Sequence, residues 1–215
     1  EAVCRELQKY ISDTIIEVSN ILYAPCEYKE IYKDENIPDS ALLWSTFEKD
    51  MRIGGIDKHY WFKFKVKTLD CDSRTECVLS VITGKNDDWD ALNPQGLVYL
   101  NGKMVQGLDI NHTDVVLDFN REYEIWIYFY TGMYDCMVDF NASLCLNNKR
   151  VEKLYYDLSV PLEGTRYINP DSKDYFDTIN TLNSAVQLLD LRVPKSNEFY
   201  KSIDATIDYL DVNFY

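Results

Sequence analysis

The chain has 215 residues, 46% hydrophobic and 27% charged, enough for one large domain or a domain with appendages. Its formal net charge of -14 repels phosphate backbones and anionic headgroups, which argues against nucleic acid and membrane partners. No apolar run approaches the ~20 residues that span a bilayer, and no basic segment leads into an apolar stretch at the start, so a cytoplasmic protein is expected.

Residues 1–24 read as one helix. Val3, Leu7, Tyr10 or Ile11, Thr14 or Ile15, Val18 and Ile21 or Leu22 repeat with a period near 3.6, and Pro25 would stop them. Residues 25–40 form a charged linker ending in Pro38-Asp39-Ser40. Strand patterns then fill 41–160. Ala41 to Phe47 is a first candidate. In Lys58–Lys67, Tyr60, Phe62, Phe64 and Val66 share one face, while His59, Trp61, Lys63 and Lys65 share the other, the pattern of a half-buried strand. Cys77, Leu79 and Val81 alternate next, followed by the polar stretch GKNDDWDALNPQG. Asn101-Gly102, between Leu97–Leu100 and Met104-Val105, predicts a type I′ hairpin, with Gln106-Gly107-Leu108 leaving the sheet beyond it. Val115 to Phe119, Tyr123 to Tyr130, and Val138, Phe140, Ala142 and Leu144 continue the series, and Arg150 to Tyr156 is a candidate last strand. Eight or more short strands in about 120 residues predict a mainly β, antiparallel β-sandwich.

The period changes again over 161–215. Phe176, Ile179, Leu182, Val186 and Leu189 mark one helix. Phe199, Ile203, Ile207 and Leu210 mark another, with Ser196 as its cap. These helices are expected to pack on each other, on the sandwich, or under a further domain. The chain stops at Asn213-Phe214-Tyr215, still apolar, which reads as a cut.

Chemistry is sparse. Cys4, Cys26, Cys71, Cys77, Cys136 and Cys145 form no Cys-x-x-Cys and read as free thiols in a reducing compartment. The glycosylation patterns Asn111-His112-Thr113 and Asn141-Ala142-Ser143 read as chance without a secretion signal. The two histidines, His59 and His112, read as a solvated face residue and a loop donor, and no metal site follows from them. Asp87, Asp88 and Asp90 offer calcium-type oxygens but read as an ordinary acidic loop. Gly54-Gly55 is no phosphate loop, there is no Gly-x-Ser-x-Gly, and no carboxylate pair stands out among 36 acids. No catalytic residue is assigned. Trp61, Trp89 and Trp126 are the candidates for carbohydrate or interdomain contact, with interface packing preferred for Trp61 and Trp126; Gln106 in the hairpin tail joins them.

Three stretches carry a resemblance: Trp44-Ser45-Thr46-Phe47; Gly54-Gly55-Ile56-Asp57-Lys58-His59-Tyr60-Trp61-Phe62-Lys63-Phe64-Lys65-Val66; and Leu97 through Asp109, LVYLNGKMVQGLD. They resemble the N-terminal region of glycoside hydrolase family 38 α-mannosidases, the cytosolic branch above all. The tail stretches LNSAVQLLDLR (182–192) and FYKSI (199–203) are similar to the helical linker of that family. The resemblance implies a jelly-roll-like, galactose-binding-like sandwich and a metal-dependent retaining parent enzyme that hydrolyses terminal α-mannosyl residues. It places the divalent cation, zinc or cobalt, and the aspartate nucleophile in a catalytic domain beyond this chain, where a His-x-His-x-Asp-like motif is expected. It also implies homo-oligomeric assembly. The expected role is a non-catalytic structural or interdomain module, with that catalytic domain as partner. The alternative is a carbohydrate-binding module that takes a mannoside through exposed loop aromatics.

Overall fold

The computed structural model describes residues 1–27, 41–70, 74–83, 95–109, 111–135 and 137–215. It opens with helix α1 (Ala2–Gln8) and continues through twelve strands among the described residues. These are β1 (Ser12–Glu17), β2 (Leu22–Cys26), β3 (Ser45–Thr46), β4 (Arg52–Gly54), β5 (His59–Lys67), β6 (Thr75–Ile82), β7 (Gln95–Leu100), β8 (Lys103–Leu108), β9 (Asp114–Leu117), β10 (Glu122–Tyr130), β11 (Met137–Asp139) and β12 (Asn141–Asn148). Helices α2 (Lys149–Gly164), α3 (Lys173–Val186) and α4 (Asn197–Asn213) follow.

The chain divides into two compact units: Glu1–Asp13 with Asp72–Glu76 and Asn147–Tyr215, and Thr14–Cys71 with Cys77–Leu146. The second is an antiparallel β-sandwich. One sheet has the order β3-β2-β5-β10-β7-β8, the other β1-β12-β6-β9, and β11 pairs with β4. The inward face of the six-stranded sheet supplies Phe62, Phe64, Val66, Val98, Ile125, Ile127 and Phe129. Leu79, Val81, Val115, Leu117, Ala142 and Leu144 of the other sheet meet them in one core. Phe140 stacks on Phe62 with centroids 3.7 Å apart. Each such side chain contributes about 1.5–3 kcal/mol by leaving water.

The sandwich and the alternation of β5, β6 and β10 follow the sequence pattern. The Asn101-Gly102 turn is type I′-like, with φ of 51° and 84° at its two central residues. Met104 pairs with Tyr99 and Gln106 with Val98, so Val105 is the extra residue of a bulge. Gln106-Gly107-Leu108 does not leave the sheet as expected: Gly107 pairs with Leu97 and Leu108 with Gly96. Leu108 is buried in the core, and that anchor holds the segment in register.

Other expectations are corrected. The helix expected over 1–24 ends at Gln8, and residues 12–26 form β1 and β2 instead. Ile11, Thr14, Ile15, Ile16 and Val18 are a β-branched run that favours extended backbone, and Asn20, with φ of 58°, turns the chain between the strands. Pro25 lies inside β2, opposite Tyr60 and beyond the two residues that β3 pairs, where an edge tolerates a missing N–H. Within 41–47 only Ser45–Thr46 is strand. Arg150–Tyr156 is helix, not strand: Asn148 Oδ1 accepts from the amides of Arg150 and Val151, and Val151, Leu154 and Leu158 form its buried stripe. The helical segment therefore begins at Lys149 rather than at 161. The linker span expected over 25–40 lies outside the described residues from 28 onward.

The first unit has its own core. Leu7 of α1, Val151, Leu154 and Leu158 of α2, Leu182 and Ala185 of α3, and Phe199, Ile203, Ile207 and Leu210 of α4 pack together. The α4 stripe and the Ser196 cap, which accepts from the Phe199 amide at 3.1 Å, match the sequence reading. Phe176, read as part of the α3 stripe, is exposed.

Candidate functional site

Four neighbouring strands of the six-stranded sheet build one cleft, and their register explains it. Tyr130 at the end of β10 stands opposite His59 on one side and Gln95 on the other. One step along, Trp61, Tyr128, Leu97 and Gly107 form the next row across β5, β10, β7 and β8. Paired residues share a face, so both rows lie on the face opposite the sandwich core. The cleft enclosed here measures about 820 Å³. Asp57, His59, Gln95, Leu97, Gln106, Gly107, Asp109, His112, Tyr128 and Tyr130 line it together with Gly96 and Leu108.

One wall is a hydrogen-bonded set. The Tyr128 hydroxyl lies 2.5 Å from His59 Nδ1, and His59 stacks on Tyr130 with centroids 4.9 Å apart. With the phenol as donor, the ring proton sits on Nε2, which lies 3.7 Å from Asp57 Oδ1. Burial holds His59 below the ordinary imidazole range, only partly offset by Asp57. Burial, and then a hydrogen bond to Asp57, raises the Tyr130 phenol. Both directions favour the neutral forms of the His59 imidazole and the Tyr130 phenol.

The opposite lip is a tight turn. Asp109 Oδ1 accepts from the amides of Asn111 at 2.7 Å and His112 at 2.9 Å, and meets His112 Nδ1 at 2.9 Å. The Asn111 amide first, and His112 second, keep the Asp109 carboxyl below its usual range, so it stays an ionised acceptor. Gln106 donates to the Asp114 carbonyl at 2.8 Å, tying β8 to the start of β9. The described lining carries no lysine or arginine. Such a surface suits a neutral, hydroxyl-rich ligand and repels an anion.

Of the described residues proposed for carbohydrate or interdomain contact, Trp61, Trp126 and Gln106, only Gln106 lines this cleft. Trp61 is fully buried among Tyr99, Trp126 and Tyr128, and its indole nitrogen has no hydrogen-bond partner among the described residues. Trp126 is buried too, with Trp44 edge-on at 5.4 Å and the Lys63 ammonium 4.2 Å from its ring centre. Neither indole is open to a sugar. Trp89 and the acidic run Asp87, Asp88 and Asp90 lie outside the described residues. His59, read as solvated, is buried, because the start of β5 is covered on both faces. His59, Tyr128, Tyr130 and Asp109 were the residues missed. The outward pair Tyr128 and Tyr130, flanking inward Phe129, was their local signal.

Cys4 and Cys145 are free thiols. No group of three or more His, Cys, Asp or Glu side chains among the described residues comes together to hold a metal ion. No described helix is long and apolar enough to cross a membrane.

No family model matches the chain, and no curated protein matches it. Among solved structures, one similar chain is the CBM51-2 in complex with GlcNAc and INT domains from Clostridium perfringens ZmpB. It is 11% identical over 92% of this chain and 46% of that one, with a TM-score of 0.29. The CBM51-2 and INT domains of the same protein match at 11% identity over 93% and 53%, with a TM-score of 0.24. This chain spans about half the length of those chains. Superposition at that level carries no argument about fold or function.

Proposed function

We propose that this chain is a non-catalytic accessory module of a glycoside-active enzyme, and that the sheet-face cleft is where it meets sugar. The observation that carries this reading is the cleft lining: phenols, imidazoles, amides and carboxylates around a volume of about 820 Å³, with no described cationic side chain. The parent enzyme, on the strength of the stretches around Gly54–Val66 and Leu97–Asp109, is a cytosolic-type family 38 α-mannosidase. In that parent, a zinc- or cobalt-dependent catalytic domain of the same polypeptide would hydrolyse terminal α-mannosyl residues, and the assembled enzyme would be a homo-oligomer. The helical unit, with its own core, would serve as the structural connection to that domain.

The test has two arms. Titration of the isotope-labelled chain with methyl α-mannoside should shift the amides of Gln95–Leu97, Gly107–Asp109 and Tyr128–Tyr130. Absence of any shift with mannosides, glucosides and galactosides would refute the sugar reading and leave a purely structural module. In the second arm, the chain is assayed with an aryl α-mannoside and added zinc or cobalt. Turnover that co-purifies with the chain would refute the non-catalytic assignment.

A further inference from the structure

Gly107 stands where the fold does not ask for a glycine. It lies in β8, the edge strand of the six-stranded sheet, paired with Leu97. Its backbone is not in the left-handed region, in contrast to Gly55, Gly102 and Gly132. A Cβ built on Gly107 would touch only the Gly96 carbonyl oxygen, at 3.8 Å, an ordinary contact. Gly96, one pair away, differs: a Cβ there would press on Ile127 and Leu108 at 3.4 Å. A glycine in a strand interior costs conformational entropy, about 0.5–1 kcal/mol relative to alanine. A strand glycine often marks a bulge or a place where a ligand or another backbone comes close; the bulge here is taken up by Val105, two residues before, and Gly107 itself is in register with Leu97, which leaves the close approach.

The surroundings say what comes close. Across Tyr128, Leu97 and Gly107, the first two positions carry large side chains and the third carries none, so the cleft floor drops at Gly107. Leu97 and Tyr128 supply an apolar flank. On the lip, three contacts engage Asp109 Oδ1 and none of them engages Oδ2. Asp57 and Gln95 complete a polar rim. A flat object with an apolar face and hydroxyls around its edge matches this arrangement.

We infer that Gly107 is the specificity-determining floor of a subsite for one pyranose ring, seated with its C–H face over the Gly107 backbone and Leu97 and its hydroxyls toward Asp109, Asp57 and Gln95. This rests on the sugar reading of the cleft and goes beyond it by fixing the subsite and the residue that keeps it open. A β-branched side chain at 107 fills the floor and excludes the ring. Alanine narrows it.

The experiment is calorimetric titration of methyl α-mannoside into the wild-type chain, Gly107→Ala, Gly107→Val and the control Val105→Ala, whose site is exposed in the bulge. Thermal unfolding and an amide fingerprint are recorded for each. Affinity should fall at least about tenfold in Gly107→Val and a few-fold in Gly107→Ala, with Val105→Ala unchanged and Gly107→Ala melting no lower than wild type. Wild-type affinity in a folded Gly107→Val overturns the subsite while the sugar reading stands. If Gly107→Val fails to fold, the premise that packing tolerates a side chain is wrong and the inference falls with it. Unchanged affinity in Gly107→Ala together with folded, unaffected Gly107→Val has the same meaning. If the wild-type chain binds no mannoside, the series is run with the methyl glucoside and galactoside, and no binding of any of the three overturns the sugar reading itself.

Discussion

Trp61→Phe is expected to be almost neutral for stability, although Trp61 is fully buried. Truncating indole to phenyl opens a gap of roughly 40 Å³, which at about 24 cal/mol per Å³ costs about 1 kcal/mol. Lost apolar burial adds about 1 kcal/mol. Against both stands the indole N–H, buried without a hydrogen-bond partner among the described residues. An orphaned buried donor costs about 1–3 kcal/mol, and phenylalanine removes it. The sum lies within about 1 kcal/mol of zero, or a shift in melting temperature of about 2–4 °C in either direction for a chain of this size. Trp61→Ala, with no such compensation for its larger cavity, should cost about 3–5 kcal/mol. Urea unfolding followed by the fluorescence of the remaining tryptophans measures both. A loss above about 3 kcal/mol in Trp61→Phe would refute the reasoning, because it would mean that the indole N–H is bonded. Mannoside affinity should survive the same change, since Trp61 does not line the cleft.

Burial lowers the His59 pKa in the folded chain, so above about 6.5, the ordinary imidazole value, its contribution to stability is fully present. As pH falls from there toward the lowered folded value, the unfolded chain takes up a proton that the folded chain refuses, and stability drops. Urea midpoints at about pH 7.5 and 5.5 should therefore separate more in the wild type than in His59→Gln; equal separation would disprove the burial argument. Ile203→Ala, at a fully buried position in the helical core, should cost about 2–5 kcal/mol and show as an earlier loss of helical circular dichroism. Gly102→Ala meets no atom within 4 Å, so its cost should come from φ of +84° alone, about 1–2 kcal/mol, measurable as a lower melting temperature.

Where one element carries its own alternation, the sequence was enough. Phe62, Phe64 and Val66, or Phe199, Ile203 and Leu210, declare a buried face locally. Asn101-Gly102 declares its turn because few residues accept positive φ at both positions. Residues 1–24 misled because a β-branched run and a helical period coincide there, and the contacts that choose between them lie in distant strands. Arg150–Tyr156 misled because its stripe completes only with Leu158, once Asn148 is recognised as a cap. The cleft was illegible for a different reason. His59, Gln95, Gly107 and Tyr128 become neighbours only through the register of four strands. Nothing in the local sequence of any one of them states that register.

The helical unit is closed by residues from both ends of the chain, with the sandwich inserted between them. Leu7 waits for Val151, 144 positions later, before its apolar surface has a permanent neighbour. At a synthesis rate of about 5–20 residues per second, that delay is roughly 7–30 s on the ribosome. The sandwich, whose residues are nearly all made by then, is free to fold first, while α1 remains a short, marginal helix with nothing to dock on. On the ribosome, the helical unit can close only after the sandwich has been made. A lesion as small as Leu7→Ala should be felt as slower maturation of helices made more than a hundred residues downstream.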